Sequence, residues 1–137
     1  MQKFYICSTN NTPEIHFSPV EDIFIIRGTS SPEDVRTMYY PVIEWINKFI
    51  NEVIKGKTNK YTSEKPLKFK IDLIYFNSSS AKFLFDIFSE LKRLSLSGIP
   101  VVIEWFHDVE DYDLKEAGLD IASLVGMEFT YVPKYKQ

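Results

Sequence analysis

"LKFKIDLIYFNSSSAKFLFDIFSELKRLSLSG", residues 67–98, joins two kinds of periodicity through an asparagine and three serines, and its reading decides the fold. From Leu67 apolar and polar residues alternate and then run continuously apolar, as expected of a strand entering the middle of a sheet. After the serines, Phe83, Leu84, Ile87, Phe88, Leu91 and Leu94 recur at helical spacing, and Gly98 is placed to stop the helix. The hydroxyls therefore stand where the carboxyl end of a strand becomes the amino end of a helix.

The same alternation extends on both sides. Upstream, "EIHFSPVEDIFIIRG" holds two β-type runs, Glu14–Phe17 and Ile23–Arg27, around a polar turn with Pro19 and Asp22, which predicts an N-terminal hairpin. In "TSSPEDV", Ser31 reads as an N-cap, Pro32 as the first helical residue, and Glu33 and Asp34 as first-turn acids. The helix that follows carries Val35, Met38, Tyr39, Val42, Trp45, Ile46, Phe49, Ile50 and Val53 on one face, with a kink or break expected near Pro41 and a stop at Gly56. The polar stretch Lys55–Pro66 reads as a surface loop. Downstream, "IPVVIEWF" predicts a strand, Leu114, Ala117, Ile121 and Leu124 a helical face weakened by Gly118, and "MEFTYV" a last strand. The order β-β-α-β-α-β-α-β requires crossover connections. It predicts a single α/β domain over 1–137: a mixed sheet of about five strands, with the hairpin at one side and helices packed on it.

Composition narrows the function classes. A chain of 137 residues with 45% hydrophobic residues can bury about two-thirds of its unfolded surface as one domain. A net charge of -3 with dispersed Lys and Arg supplies no basic stripe, so nucleic acid is not an expected partner. The one cysteine, Cys7, excludes an internal disulfide and is expected to serve as a small apolar strand residue. No run approaches the length of a membrane span, and "MQKFYICSTNN" lacks the features of an export signal, so the expected location is the cytoplasm, with no membrane partner.

At the junction itself, free N–H groups and a positive dipole end favour an anion, and one of the serines is expected to act as the N-cap. The plain reading, a turn plus a cap, stands beside any functional one. A nucleophilic serine would need a base, and only His16 and His107 are present, with no Gly-x-Ser-x-Gly elbow around any serine. No glycine-rich phosphate loop occurs either. Modification remains. A phosphate would be tolerated by the helix end but would have to be desolvated by a docked partner, and a difference of roughly 3 kcal/mol changes affinity more than a hundredfold.

The layout, with a hydroxyl residue at the start of a helix after a central strand, resembles the STAS domains of anti-sigma factor antagonists. More closely, "TPEI" at 12–15, "RGTSSPEDV" at 27–35, "PVIEWINKFI" at 41–50, "YFNSSSAKFLFDIF" at 75–88, "PVVIEWFHD" at 100–108 and "KEAGLDIASLVGMEFTYV" at 115–132 resemble the SiaC family of bacterial regulatory phosphoproteins. The resemblance implies a non-enzymatic adaptor in cyclic-di-GMP signalling. It implies that the hydroxyl after Asn77, that is Ser78, is phosphorylated by a dedicated serine/threonine kinase and released by a metal-dependent serine/threonine phosphatase. Ser79 is the second choice, and serine stands where the characterised member has threonine. The unphosphorylated form would bind and activate a diguanylate cyclase. No cofactor and no protein-bound metal are implied. Adjacency to the junction marks Asn77, Ser79, Ser80, Lys82, Asp86 and Ser89 as candidate partner contacts, with Lys92 and Arg93 further along the same helix side.

Two other functions stay open at this level. One is an anti-sigma factor antagonist. The other is a small metal-dependent hydrolase built on Glu104, Asp108, Glu110, Asp111 and Asp113 beside His107, although acids ahead of a helix are also expected from its dipole alone. Trp45 and Trp105 fall in apolar patterns and read as core, and His16 as structural.

Overall fold

The structure, a computed structural model, describes residues 1–56 and 58–135. In chain order the elements are β1 (Phe4–Ile6), β2 (Glu14–Ser18), β3 (Ile23–Ser30), α1 (Val35–Gly56), β4 (Leu67–Phe76), α2 (Ser78–Leu96), β5 (Val101–Asp108), α3 (Tyr112–Val125) and β6 (Thr130–Lys134). They form one mixed sheet in the order β1-β2-β3-β4-β5-β6. β1 to β3 pair antiparallel and β3 to β6 parallel. The expected hairpin is β2–β3. The sheet has six strands rather than five because Phe4–Ile6 adds to β2, a pairing that three residues signal too weakly to be read from sequence. Cys7 lies just beyond that strand and is exposed, which corrects its reading as an apolar strand residue.

Each crossover steps one strand along, and the helices touch in the order α1, α2, α3, so all three cover one face of the sheet. Burial alternates accordingly: Leu67, Phe69, Ile71 and Leu73 of β4 point into the core while Lys68 and Lys70 face solvent. β4 is central, as expected, but it is covered on one side only. Its continuous apolar end is explained by a bulge. Gly28 pairs with Leu73 and Thr29 with Tyr75, so Ile74 is an extra residue. Ile74 and Tyr75 consequently stand 70% and 54% exposed. Gly28 serves this irregularity at φ 120, a conformation that L side chains rarely adopt.

α1 starts later than the sequence suggests. Asp34, not Ser31, is its cap: Oδ1 accepts the Thr37 N–H at 3.1 Å and Oδ2 the Thr37 hydroxyl at 2.7 Å. These bonds hold the Asp34 carboxyl below its usual range. Ser31 lies three residues ahead of that cap, its backbone N–H donated to the Asn11 carbonyl at 2.8 Å. Helix α1 continues through Pro41 as one element. Its buried residues are Tyr39, Val42, Trp45, Ile46, Phe49, Ile50 and Val53, the stripe expected from sequence, with Val35 and Met38 half-buried at its start. Of the expected loop Lys55–Pro66, Lys55 and Gly56 close α1, residue 57 lies outside the described residues, and the remainder is pinned by buried Tyr61 and the Lys60–Asp22 ion pair at 3.1 Å.

The core is aromatic. Phe17, Phe24, Trp45, Phe49 and Phe69 pack together under α1, and Phe76, Phe88, Trp105 and Phe129 under α2 and α3. Both tryptophans are core, as expected. On α3 the buried stripe is Leu114, Gly118, Ile121, Ala122 and Val125, so Leu124, expected inside, is exposed. Gly118 faces the sheet because nothing larger fits: a Cβ there would lie 2.7 Å from the Trp105 ring. That ring is held by Trp105 Nε1 donating to the Leu114 carbonyl at 3.1 Å.

Gly118→Ala is expected to destabilise the fold by about 1–2 kcal/mol, the overpacking cost exceeding the gain in helix propensity. Urea denaturation measures it. A second expectation concerns alkali. Burial raises the Tyr39 phenol. Burial, then the Asp22 charge, pushes Tyr61 up to about 12. A raised pKa in the folded state means that these groups contribute fully below the ordinary phenol value of about 10. That contribution is lost as pH climbs from there through the folded value. Denaturation midpoints should therefore fall between about pH 10 and 12, less steeply in Tyr61→Phe.

Candidate functional site

The strand-to-helix junction is built by three bonded residues. Asn77 is the N-cap of α2: its backbone is extended, and its side-chain Oδ1 accepts the Ser80 N–H at 2.9 Å. The Asn77 carbonyl accepts the Ala81 N–H at 3.0 Å, the first bond of the helix. No serine is therefore the cap, in contrast to the expectation. An asparagine in extended geometry reaches the N3 amide itself and leaves the hydroxyls for other uses.

The serines separate by position. Ser78 and Ser79 are exposed, and Ser80 is fully buried. Ser80 Oγ donates to the Ser30 carbonyl at 3.0 Å and accepts from Ser30 Oγ at 2.8 Å. Ser30 Oγ in turn lies 2.6 Å from the Tyr39 hydroxyl. A hydroxyl carries one proton, and Ser30 gives its own to Ser80, so Tyr39 is the donor to Ser30. The Ser30 carbonyl also accepts the Asn77 N–H at 3.0 Å. One residue at the end of β3 thus holds both ends of the Asn77–Ser80 turn. Ser80, expected among the partner contacts, offers no surface to a partner because its hydroxyl is sealed in this network.

Along α2, Lys82 and Asp86 form an i,i+4 ion pair at 3.0 Å on the exposed side, with Lys82 also over the Phe83 ring. Ser89 is exposed and donates to the Phe85 carbonyl at 2.9 Å. Lys92 and Arg93 do not continue this surface. Lys92 reaches across to the Gly126 carbonyl at 3.2 Å, and Arg93 pairs with Glu90 at 2.8 Å. Around the junction, Ile74, Tyr75 and Phe85 supply exposed apolar surface, as does Tyr40, which lies edge-on to Phe83.

The acidic stretch serves helix α3. Asp111 is the N-cap, accepting the Leu114 N–H at 2.9 Å, and Asp108 Oδ1 accepts the Glu110 N–H at 2.9 Å. His107 is buried with Nδ1 at 2.9 Å from the Asp108 carbonyl, while Glu104 is half-buried on the opposite face of β5. Among the described residues no three or more His, Cys, Asp or Glu side chains are grouped to hold a metal ion. This arrangement does not assemble the metal-dependent hydrolase centre left open as an alternative. His16 packs edge-on to Tyr5 at 5.2 Å.

Residues 6–134 match the SiaC family regulatory phosphoprotein. The chain belongs to that family. An uncharacterized protein of Pseudomonas aeruginosa strain UCBPP-PA14 is 28% identical over 108 residues, 79% of this chain and 78% of that protein. The SiaC-family fold is evident in solved structures too. SiaC of Pseudomonas aeruginosa superposes with TM-score 0.75 at 25% identity, covering 99% of this chain and 100% of that one. Its apo form gives 0.71 at 24% identity over 98% and 99% of the two chains. A chain in the complex of the diguanylate cyclase SiaD with its activator SiaC, from the same organism, gives 0.78 at 23% identity over 97% and 99%. No helix among the described residues is long and apolar enough to cross a membrane.

Ser30 and Tyr39 were not legible as site residues, because Tyr39 sits in an apolar helical stripe. The signal for Ser30 was a polar residue at the inward position of the series Phe24, Ile26, Gly28, Ser30. Asn77→Ala should lower stability by about 1 kcal/mol through loss of the cap, with faster amide exchange at Ser80 before the rest of α2. Denaturant titration and exchange mass spectrometry read the two effects.

Proposed function

We propose that this chain is an adaptor without catalysis of its own, gated by phosphorylation of Ser78, whose unphosphorylated form binds and activates a diguanylate cyclase. The observation that carries the reading is the exposure of the Ser78 hydroxyl at the first position of a helix whose capping turn is bonded from below. Membership of a family of regulatory phosphoproteins supports it, as does the role of SiaC as activator of SiaD in a structural relative. A cognate serine/threonine kinase would place the phosphate and a metal-dependent phosphatase would remove it, both acting in the cytoplasm. Ser79 is exposed as well, and Ser78 is preferred because the resemblance to the SiaC family puts the modified hydroxyl directly after the asparagine.

The physical logic is asymmetric. A phosphate on Ser78 adds nearly two negative charges at the positive end of α2, where the chain's own fold tolerates them. A partner seated over Asn77, Ser78, Ser79, Lys82, Asp86 and Ser89 would have to strip water from that phosphate. A cost of roughly 3 kcal/mol in the complex alone weakens binding more than a hundredfold. The exposed Ile74 and Tyr75, four and three residues before Ser78, and Tyr40 and Phe85 on the helices supply apolar area for partner contacts.

Co-expression with the cognate kinase followed by phosphate mapping should place the phosphate on Ser78. In titrations with the diguanylate cyclase, Ser78→Ala should bind and activate like the unmodified chain, and the phosphorylated chain should bind at least about a hundredfold more weakly. Phosphate on another residue, or equal binding by the two forms, refutes the assignment.

A further inference from the structure

Three side chains in the middle of an apolar contact are hydroxyls. Tyr39, Ser30 and Ser80 are all fully buried, and each donates once, Tyr39 to Ser30, Ser30 to Ser80, and Ser80 back to the Ser30 carbonyl. They come from α1, β3 and α2, so the series ties three elements at one point. Elsewhere α1 and α2 face each other mainly with buried apolar side chains of one core, such as Ile46, Ile50, Leu84 and Ile87, and their other side-chain hydrogen bond, Asn47 to Glu90 at 3.3 Å, is only half-buried. An apolar solution was therefore open here too, and exchanging both members of a buried hydrogen-bonded pair for apolar groups of similar shape is close to neutral in stability. What directional bonds supply and apolar contact does not is a fixed orientation.

The orientation being fixed is that of Ser78. Asn77 before it and Ser80 after it are both bonded to the same residue, Ser30, and to each other through the cap. Tyr39 anchors Ser30 from below while its ring stacks on Phe83 of α2 at 5.4 Å. We infer that Ser30 and Tyr39 are positioning residues that present the Ser78 hydroxyl to the modifying kinase, acting through Ser80 and Asn77 without touching the enzyme. This inference rests on Ser78 being the modified residue. It assigns a role to two buried side chains outside the exposed surface.

The decisive variant is the pair Ser30→Ala with Tyr39→Phe in the full chain. It removes both side-chain hydroxyls together, keeps the ring stack, and leaves Ser80 its carbonyl acceptor, so no buried donor is orphaned. The denaturation midpoint should stay at the wild-type value. Amide exchange at Ser80 and Ala81 should quicken about tenfold, and kcat/KM of the cognate kinase for Ser78 should fall by about the same factor. Ile50→Val, a core change about three turns along α1, is the control: it should lower the midpoint and leave the kinase kinetics unchanged. Wild-type exchange and wild-type kinetics in the pair variant overturn the inference. So does an equal loss of kinase turnover in Ile50→Val, which would mean that turnover follows stability alone. Ser78→Ala, run alongside, separates the failures. If it takes up phosphate at the wild-type rate, the switch assignment falls and this inference with it. If it does not, and the pair variant is phosphorylated at the wild-type rate, only the positioning role falls.

Discussion

At the end of β3 one peptide carbonyl, that of Ser30, accepts the N–H of Asn77 and the hydroxyl of Ser80, and its own side chain links Ser80 to Tyr39. All of these groups lie in or at the edge of an apolar interior, where an unpartnered donor or acceptor costs about 1–3 kcal/mol. Misplacing any one of the three elements would orphan several at once. The position of the first turn of α2 is thus set by a condition of complete pairing. Apolar packing along α1 and α2 supplies the bulk of the attraction. The hydroxyl network adds directional bonds at the point where β3, α1 and α2 meet.

The second constraint is that helices cover one face of the sheet only. The open face is made soluble by alternation, with Lys68 and Lys70 outward and charge pairs such as Lys134–Asp72 and Arg27–Glu14 lying across it. Apolar side chains share that face, among them Tyr5 and, at the bulged end of β4 just ahead of the serines in sequence, Ile74 and Tyr75. A bulge that re-aims side chains next to a functional residue is a recurring device. In this SiaC-family chain it adds two exposed apolar side chains to the end of β4 that leads into the junction.

Much of the fold was legible. The α1 and α2 stripes were read nearly residue by residue, because a wide apolar face repeating about every 3.6 residues suits a helix packed on one side and little else. The parts that were not legible differ in cause. The strand β1 depends on a partner distant in sequence, Phe17 opposite Phe4, while the start of α1 was ambiguous because Ser31 and Asp34 are both residue types suited to a cap. Gly118 looked like a weak point in a helix until Trp105 was placed against it. At the site, a run of Asn and Ser announced a turn and a helix start, but three chemically identical side chains gave no sign of which was buried. That distinction comes from tertiary contact with Ser30. The acidic stretch 104–113 was ambiguous for the same reason, since capping and metal binding use the same residue types.

The strands lie side by side in the order in which they are synthesised. No later strand has to be threaded between two that are already joined, so a nascent polypeptide leaving the ribosome can add each new strand and helix to a single growing border. That border is sticky while it lasts, because an unpaired strand invites pairing with any other. The final addition, β6, contains Pro133, which lacks an N–H to offer a newcomer, while the opposite border ends in the three-residue β1. Sequential assembly here closes on two borders poorly suited to recruit another copy of the chain.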